Sequence, residues 1–391
     1  MALFKWNVLK MVRDWKIRII LLALLVFLAS YSTLYQERSI ELPLDELREE
    51  YLNTEQIFKA IPSEDFETKE GQEIYDKLAD QQRILGMQRY ILSEQEGNTV
   101  EGFENIVSDY VDQGIEMTEN QLSFYQADEF ESRELLLTFM PPEEELRETL
   151  GFFNYLKENN VEIDWNPMSP SLVLMNLVNV MAGVFIFIIA AIFGADRFSR
   201  DQMFHWSVSQ GLPYTTSYQW RQRTFISWAL IWSVIIVGIS LSYGINRLTV
   251  QTGSLGYPVQ IYSGVDAEFI SILEYTAAII LLTMLLSYVV IKLSTGLSWV
   301  FRNIYLTITV VVAVFYIPYI FTVIPAGGSF NPLIYLQILP VVDGMWSDIG
   351  SVNIWKLFVN ILLLYIIVEV IFHFIFKLIP TRTGKLERRK Q

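Results

Sequence analysis

Six long stretches of this chain carry almost no charge, and nothing else in the sequence restricts its fold as strongly. Between Arg18 and Glu37 lie 18 uncharged residues, between Asp164 and Asp196 lie 31, and between Arg223 and Arg247 lie 23. Residues 269–291 hold one charge, Glu274, and residues 303–342 hold none. A last run, Ile354–Phe376, contains Lys356, Glu369 and His373. A helix needs roughly 20 apolar residues to cross ~30 Å of hydrocarbon. The expectation is an all-α integral membrane protein with six transmembrane helices, at 17–35, 169–194, 225–247, 269–291, 304–324 and 354–377.

Basic residues mark the two sides. The N-terminus holds five (Lys5, Lys10, Arg13, Lys16, Arg18), the 195–224 loop four, the turn at 292–303 two, and the stretch from Lys377 six, whereas 248–268 and 325–353 hold none. By the positive-inside rule both termini, the 195–224 loop and the basic tail 378–391 face the cytoplasm of a multi-pass cell-membrane protein. Residues 1–16, with Phe4, Trp6, Val8, Leu9, Val12 and Trp15 broadly along one side, read as an amphipathic helix at the inner membrane surface.

The segment 36–168 then lies outside. It has 33 Asp and Glu against 10 Lys and Arg, a net of −23, so the rest of a chain that totals −14 carries +9. Apolar residues at three- and four-residue spacing (Leu44, Leu47, Tyr51, Leu52; then Ile74, Leu78, Leu85, Ile91) predict a helical extracellular domain of about four helices. The acidic surface is either simply a solvated face or one that attracts a cationic ligand outside the cell.

Several chemistries are excluded outright. Cysteine is absent and only His205 and His373 are present, which removes thiol nucleophiles, disulfides and thiolate or histidine-rich metal sites. No G-x-x-x-x-G-K-[ST] run exists; the nearest fragment, "RTGKL" at 382–386, lacks the first glycine and the magnesium-binding hydroxyl. The chain binds no cofactor of its own in this reading, it is not an enzyme, and nothing points to nucleic acid.

The loop "GADRFSRDQMFHWSVSQGLPYTTSYQWRQRTF" (194–225) is rich in hydroxyls, arginines and turn formers, with Gly211 and Pro213 as its turn. Its order is Phe198 and acidic Asp201 after a span ending in small residues, then "GLPYTTSYQWRQR", then the next span. This resembles the cytoplasmic loop of ABC-2-type transporter permeases. The six-span layout, the insertion between spans one and two, and the uncharged "PAGGSFNPLIYLQILP" (325–340), similar to the family's short outer helices that dip into the membrane, fit the same resemblance. His205 and Trp206 stand where the family has small residues, and arginines replace its lysine. The resemblance implies that the loop is a coupling helix docked on a separate ATPase subunit, which would hold ATP and Mg. Phe204 and Trp206 would be its anchors, with Asp201, Arg221 and Arg223 orienting it. It also implies a bacterial plasma membrane, pairing with a second permease copy or paralogue, and export of a substrate; the aromatic-rich membrane half and the acidic outer segment suit an amphipathic or cationic peptide, with ion or drug extrusion as the alternative.

Polar groups inside the spans are the other candidates, since intramembrane ionisable residues tend to be functional. Glu369, with His373 one turn on, is either a proton or cation relay or a packing pair. Glu274 sits near the outer end of span four. Asn176 and Asn179 are placed to bond between helices. Two rival functions follow: an ion-coupled secondary transporter using Glu369 and His373, and a membrane sensor whose outer domain binds a ligand.

Overall fold

Helix dominates the fold, and the longest apolar helices exceed what a bilayer requires. A computed structural model describes residues 2–34, 43–95, 103–203, 215–250, 253–263, 266–321, 334–344 and 353–378. The chain begins with α1 (Ala2–Arg13), α2 (Trp15–Ala29) and α3 (Tyr31–Leu34). The acidic segment forms α4 (Leu44–Ala60), α5 (Lys69–Gln95), α6 (Phe103–Phe124), α7 (Arg133–Thr138) and α8 (Glu143–Asn159). Then come α9 (Pro170–Val180), α10 (Ile186–Met203), α11 (Thr216–Thr249), the strands β1 (Pro258–Ser263) and β2 (Asp266–Ser271), α12 (Ile272–Phe301), α13 (Ile304–Phe321), α14 (Ile338–Val342) and α15 (Ile354–Leu378).

Among the described residues, three helices are long and apolar enough to cross a membrane: α11, α12 and α15. A fourth span results if α9 and α10, bent by 45° at the turn Met181–Phe185, count as one. At 1.5 Å per residue, the 34 residues of α11 and the 30 of α12 reach ~51 and ~45 Å. Both are longer than the ~30 Å of hydrocarbon that a span has to cross. This moves two expected boundaries. The loop drawn at 195–224 is helical up to Met203 and again from Thr216, and the span drawn at 269–291 starts at Ile272 and runs on to Phe301. A charge marks the end of an apolar run, but a helix ends only where its backbone bonds end. Lys292, counted with a turn, lies inside α12.

Hydroxyls and indoles hold the long helices together. Ser294 Oγ donates to the Ala191 carbonyl at 2.7 Å and Ser298 Oγ to the Ala195 carbonyl at 2.6 Å, joining α12 to α10. Gly194 permits this approach, because a Cβ there would stand 2.5 Å from Ser294 Cβ. On α11, Trp220, Trp228 and Trp232 donate their indole N–H groups to the Lys292 carbonyl, the Met284 carbonyl and Ser287 Oγ at 3.0, 2.9 and 2.9 Å. Small residues and side-chain hydrogen bonds supply the specificity that lipid, being as apolar as leucine, does not. Ile334, Tyr335, Leu336, Ile338, Val341 and Val342, from the 325–353 stretch, are buried in the same apolar core as the long helices.

The acidic segment has two apolar clusters of its own, one around Leu47, Leu85 and Phe153, the other around Ile57, Leu78 and Phe124. Leu52, expected on the inner face of α4, is 45% exposed, because the buried stripe runs through Leu47, Thr54 and Ile57. The all-α expectation also misses the antiparallel hairpin β1–β2, paired from Pro258↔Ser271 to Ser263↔Asp266. Its strands are six residues each, too short for alternation to stand out beside the apolar runs. Phe269 of the hairpin packs on Phe152 of α8 and meets Gly151, and Tyr262 OH donates to Glu148 at 3.1 Å. The hairpin thus ties the acidic segment to the start of α12.

Helix α1 lies against α11, with Met11 and Asn7 buried and Asn7 Nδ2 donating to Gln222 at 3.4 Å. Its exposed arc mixes Phe4, Trp6, Leu9 and Val12 with Lys5, Lys10 and Arg13. The apolar and basic residues are interleaved rather than on opposite sides. Lys10 Nζ lies 5.3 Å from the Trp6 ring centroid, an arrangement suited to the headgroup layer, where aromatic and cationic side chains are both at home.

Candidate functional site

Two features meet where α10, α11, α12 and α15 converge. The first is the pair of helix ends, of α10 and α11, that flank residues 204–214. Phe198, near the end of α10, is 6% exposed, and the Arg223 guanidinium lies 4.4 Å from its ring centroid. Arg223, itself 5% exposed, donates to the Arg197 carbonyl at 2.6 Å. The Phe198 and Ser199 amides both donate to Ser298 Oγ, at 3.2 and 3.0 Å. On the other side, Thr215 caps α11 by accepting from the Tyr218 amide at 3.3 Å. The two helices that flank residues 204–214 are therefore fastened to each other and to α12.

This geometry alters the roles expected for Phe198, Arg221 and Arg223. Phe198 and Arg223 are buried against each other, where α10 and α11 flank residues 204–214. Arg221 turns to Glu369. Phe204, His205, Trp206, Gly211 and Pro213 lie outside the described residues, and Asp201 falls in the last turn of α10.

The second feature is an ion cluster that the sequence did not reveal. Lys292 of α12 is wholly buried. Its ammonium pairs with Glu369 Oε2 of α15, while Arg221 of α11 pairs with Oε1, its Nε at 2.7 Å. Three rings enclose the ammonium, with centroids at 3.8 Å (Tyr365), 4.9 Å (Trp220) and 5.8 Å (Tyr288). Cation–π attraction of this kind grows when the charge is desolvated, to ~2 kcal/mol per ring or more. One carboxylate thus joins three helices. The pairing of Glu369 with His373 is not what forms: the carboxylate turns inward to two cations, and His373 is exposed. The missed signal was an aromatic residue four before a charge in two spans, Tyr288–Lys292 and Tyr365–Glu369, a spacing that puts each pair on one helix face.

The remaining candidates are structural in place. Glu274 belongs to a capping box: Ser271 Oγ accepts from the Glu274 amide at 3.2 Å, and the Glu274 carboxylate accepts from Ser271 N at 3.1 Å. It caps the N-terminus of α12. Asn179 Oδ1 accepts from Tyr275 OH at 2.9 Å, bridging α9 and α12, and Asn176 is half-buried on α9. In the acidic segment, Gln121 donates to Glu50 at 2.6 Å; burial raises the Glu50 pKa and this bond only partly opposes the rise. Tyr110 beside it is pushed up to about 12, by burial first and by Glu50 and Glu46 second. Among the described residues, no three His, Asp or Glu side chains gather as a metal site would require.

Comparison with protein-family models, with curated proteins and with solved structures finds no match to this chain.

Proposed function

We propose that this chain is the membrane-spanning permease of an ATP-driven exporter of the ABC-2 type. In this reading it has six spans, pairs with a second copy or a paralogue, and takes its energy from a separate ATPase subunit that docks on the loop 204–214. The observation that carries the reading is the clamping of that loop's feet. A push on a loop set in slack chain is dissipated there. Here Arg223, Phe198, Ser199 and Ser298 bind the feet to one another and to α12, so a displacement of the loop is one of whole helices, the rigid-body route of switching transitions. The net of −23 on residues 36–168 favours a cationic substrate, since a field of one sign concentrates the opposite charge. The rival proton relay has less support, because Glu369 is already neutralised by two cations.

The test is to isolate the tagged full chain from its native cell in mild detergent and identify what accompanies it. A stoichiometric ATPase bearing a phosphate loop, lost on Phe204→Asp with Trp206→Asp while the chain still inserts, is the expected result. A preparation without any ATPase, repeated under crosslinking, refutes the reading.

A further inference from the structure

The first two helices present outer surfaces that differ in kind. Along α2 the exposed stripe is Ile19, Leu22 and Val26, at 48%, 62% and 59%, apolar throughout as contact with hydrocarbon requires. Along α1 the exposed face mixes Trp6, Leu9 and Val12 with Lys5, Lys10 and Arg13. Hydrocarbon rejects the basic members of that face, and water is a poor contact for the apolar ones. The headgroup layer accepts both, since long basic side chains reach the surface while their neighbours dip beneath it. Placement agrees. Asn7 and Met11, one turn apart, form the buried side of α1, and Asn7 Nδ2 donates to Gln222 of α11 at 3.4 Å. The uncharged run of α11 begins just beyond, at Thr224, so α1 touches α11 where polar residues give way to the apolar span. Arg18 Nε donates to the Val12 carbonyl and closes the turn between α1 and α2, which fixes the step from one surface to the other.

Charge makes the surface selective. Residues 5–18 hold five basic side chains, all exposed, against one acid, Asp14. Basic residues beside a span draw anionic lipid towards them, each by about fivefold in local concentration, the equivalent of ~1 kcal/mol. We propose that the exposed face of α1 is a binding surface for anionic phospholipid headgroups, attracted by Lys5, Lys10 and Arg13 and seated by Trp6, Leu9 and Val12. The acidic face of another protein would match the same charges, but the face of α1 continues directly into the apolar stripe of α2, and lipid is the one occupant that covers both. The surface also reaches the interior. Asn7, Lys10 and Met11 line a small cleft with Asp196 and Arg197 of α10 and Arg223 of α11, at the helix ends that flank residues 204–214. Headgroups that hold α1 at the surface therefore hold it against those ends. That this bears on coupling rests on the function proposed above; the lipid preference itself does not.

The absence of cysteine makes a local test available. Leu9, 45% exposed and one turn from both Lys5 and Arg13, is changed by Leu9→Cys and labelled with bimane in the full chain. The chain is reconstituted in phosphatidylcholine nanodiscs that hold a minor fraction of phosphatidylglycerol. A nitroxide near the headgroup end of the acyl chain is carried by the phosphatidylglycerol in one sample and, at the same mole fraction, by phosphatidylcholine in another. Quenching is expected to show phosphatidylglycerol enriched roughly fivefold or more beside the label. The enrichment is expected to fall severalfold when Lys5→Gln, Lys10→Gln and Arg13→Gln are combined, to persist in Lys5→Arg with Lys10→Arg, and to shrink as salt is added to the labelled parent. Equal quenching by the two lipids in the parent overturns the proposal, as does an enrichment that survives the triple neutralisation undiminished or ignores salt. Quenching by neither lipid, which would place the face against protein or water, overturns it too. The salt series needs no further variant, so it decides even where the triple variant fails to fold. No ATPase enters this measurement, so its failure leaves the ATPase isolation to be judged separately, and the converse holds.

Discussion

Glu369→Gln should destabilise the long-helix core, and the structure sets the size of the effect. The substitution preserves side-chain shape and removes the one negative charge among three ionised groups. Arg221 loses little, being more than half exposed, whereas Lys292 is left as a buried cation without a counterion. Removing one partner of a buried pair costs about 3–5 kcal/mol. The Tyr365 and Trp220 rings, within 5 Å of the ammonium, remain in the variant and place the expected loss at the lower end, ~3 kcal/mol. For a unit of 150–250 residues, each kcal/mol moves the melting temperature by ~2–4 °C. The expected shift is therefore ~6–12 °C in detergent, read by near-UV circular dichroism of the full chain. Replacing both partners, Lys292→Met with Glu369→Leu, should recover most of it, because an apolar pair in place of a buried ion pair is often neutral or stabilising. A Glu369→Gln variant within ~1 kcal/mol of the parent, or a double variant no better than Glu369→Gln, would refute the reasoning.

Two further outcomes are expected. Glu50 holds its proton to higher pH in the folded chain than in the unfolded one, where its pKa is the ordinary 4.5. Its contribution is thus unimpaired below 4.5 and falls as pH rises from there through the raised folded value. Glu50→Gln should leave the hydrogen-exchange protection of α4 and α6 unchanged at about pH 4 and raise it at about pH 7; lower protection at about pH 7 would count against burial as the cause. Among glycines, a Cβ on Gly296 would stand 2.4 Å from the buried Phe372 ring, whereas one on Gly86 would meet nothing within 4 Å. Gly296→Ala should cost ~1–3 kcal/mol and Gly86→Ala should gain ~0.4–1 kcal/mol; thermal melts showing the same sign for both would contradict the packing described.

Apolar run length and three- to four-residue spacing depend only on neighbours in sequence, through transfer from water and the backbone period of a helix. By itself, therefore, the sequence determined that long apolar helices exist, that the acidic segment is helical, and that the N-terminal residues form a helix; that its apolar and basic side chains are interleaved only the structure decided. The ends of the helices escaped it, because α11 and α12 continue through polar residues as long as their backbone bonds continue. The hairpin escaped it as well, since its pairing is completed by Phe269 against α8. Lys292 reads as a residue of a turn and Arg221 as one that orients the coupling helix, 71 positions apart, with Glu369 a further 77 beyond. Only the packing of α11, α12 and α15 decided that these three meet. An ionised group in a low-dielectric interior is tolerable only beside its counterion, and which side chains become neighbours is a property of helices in contact, not of any one of them.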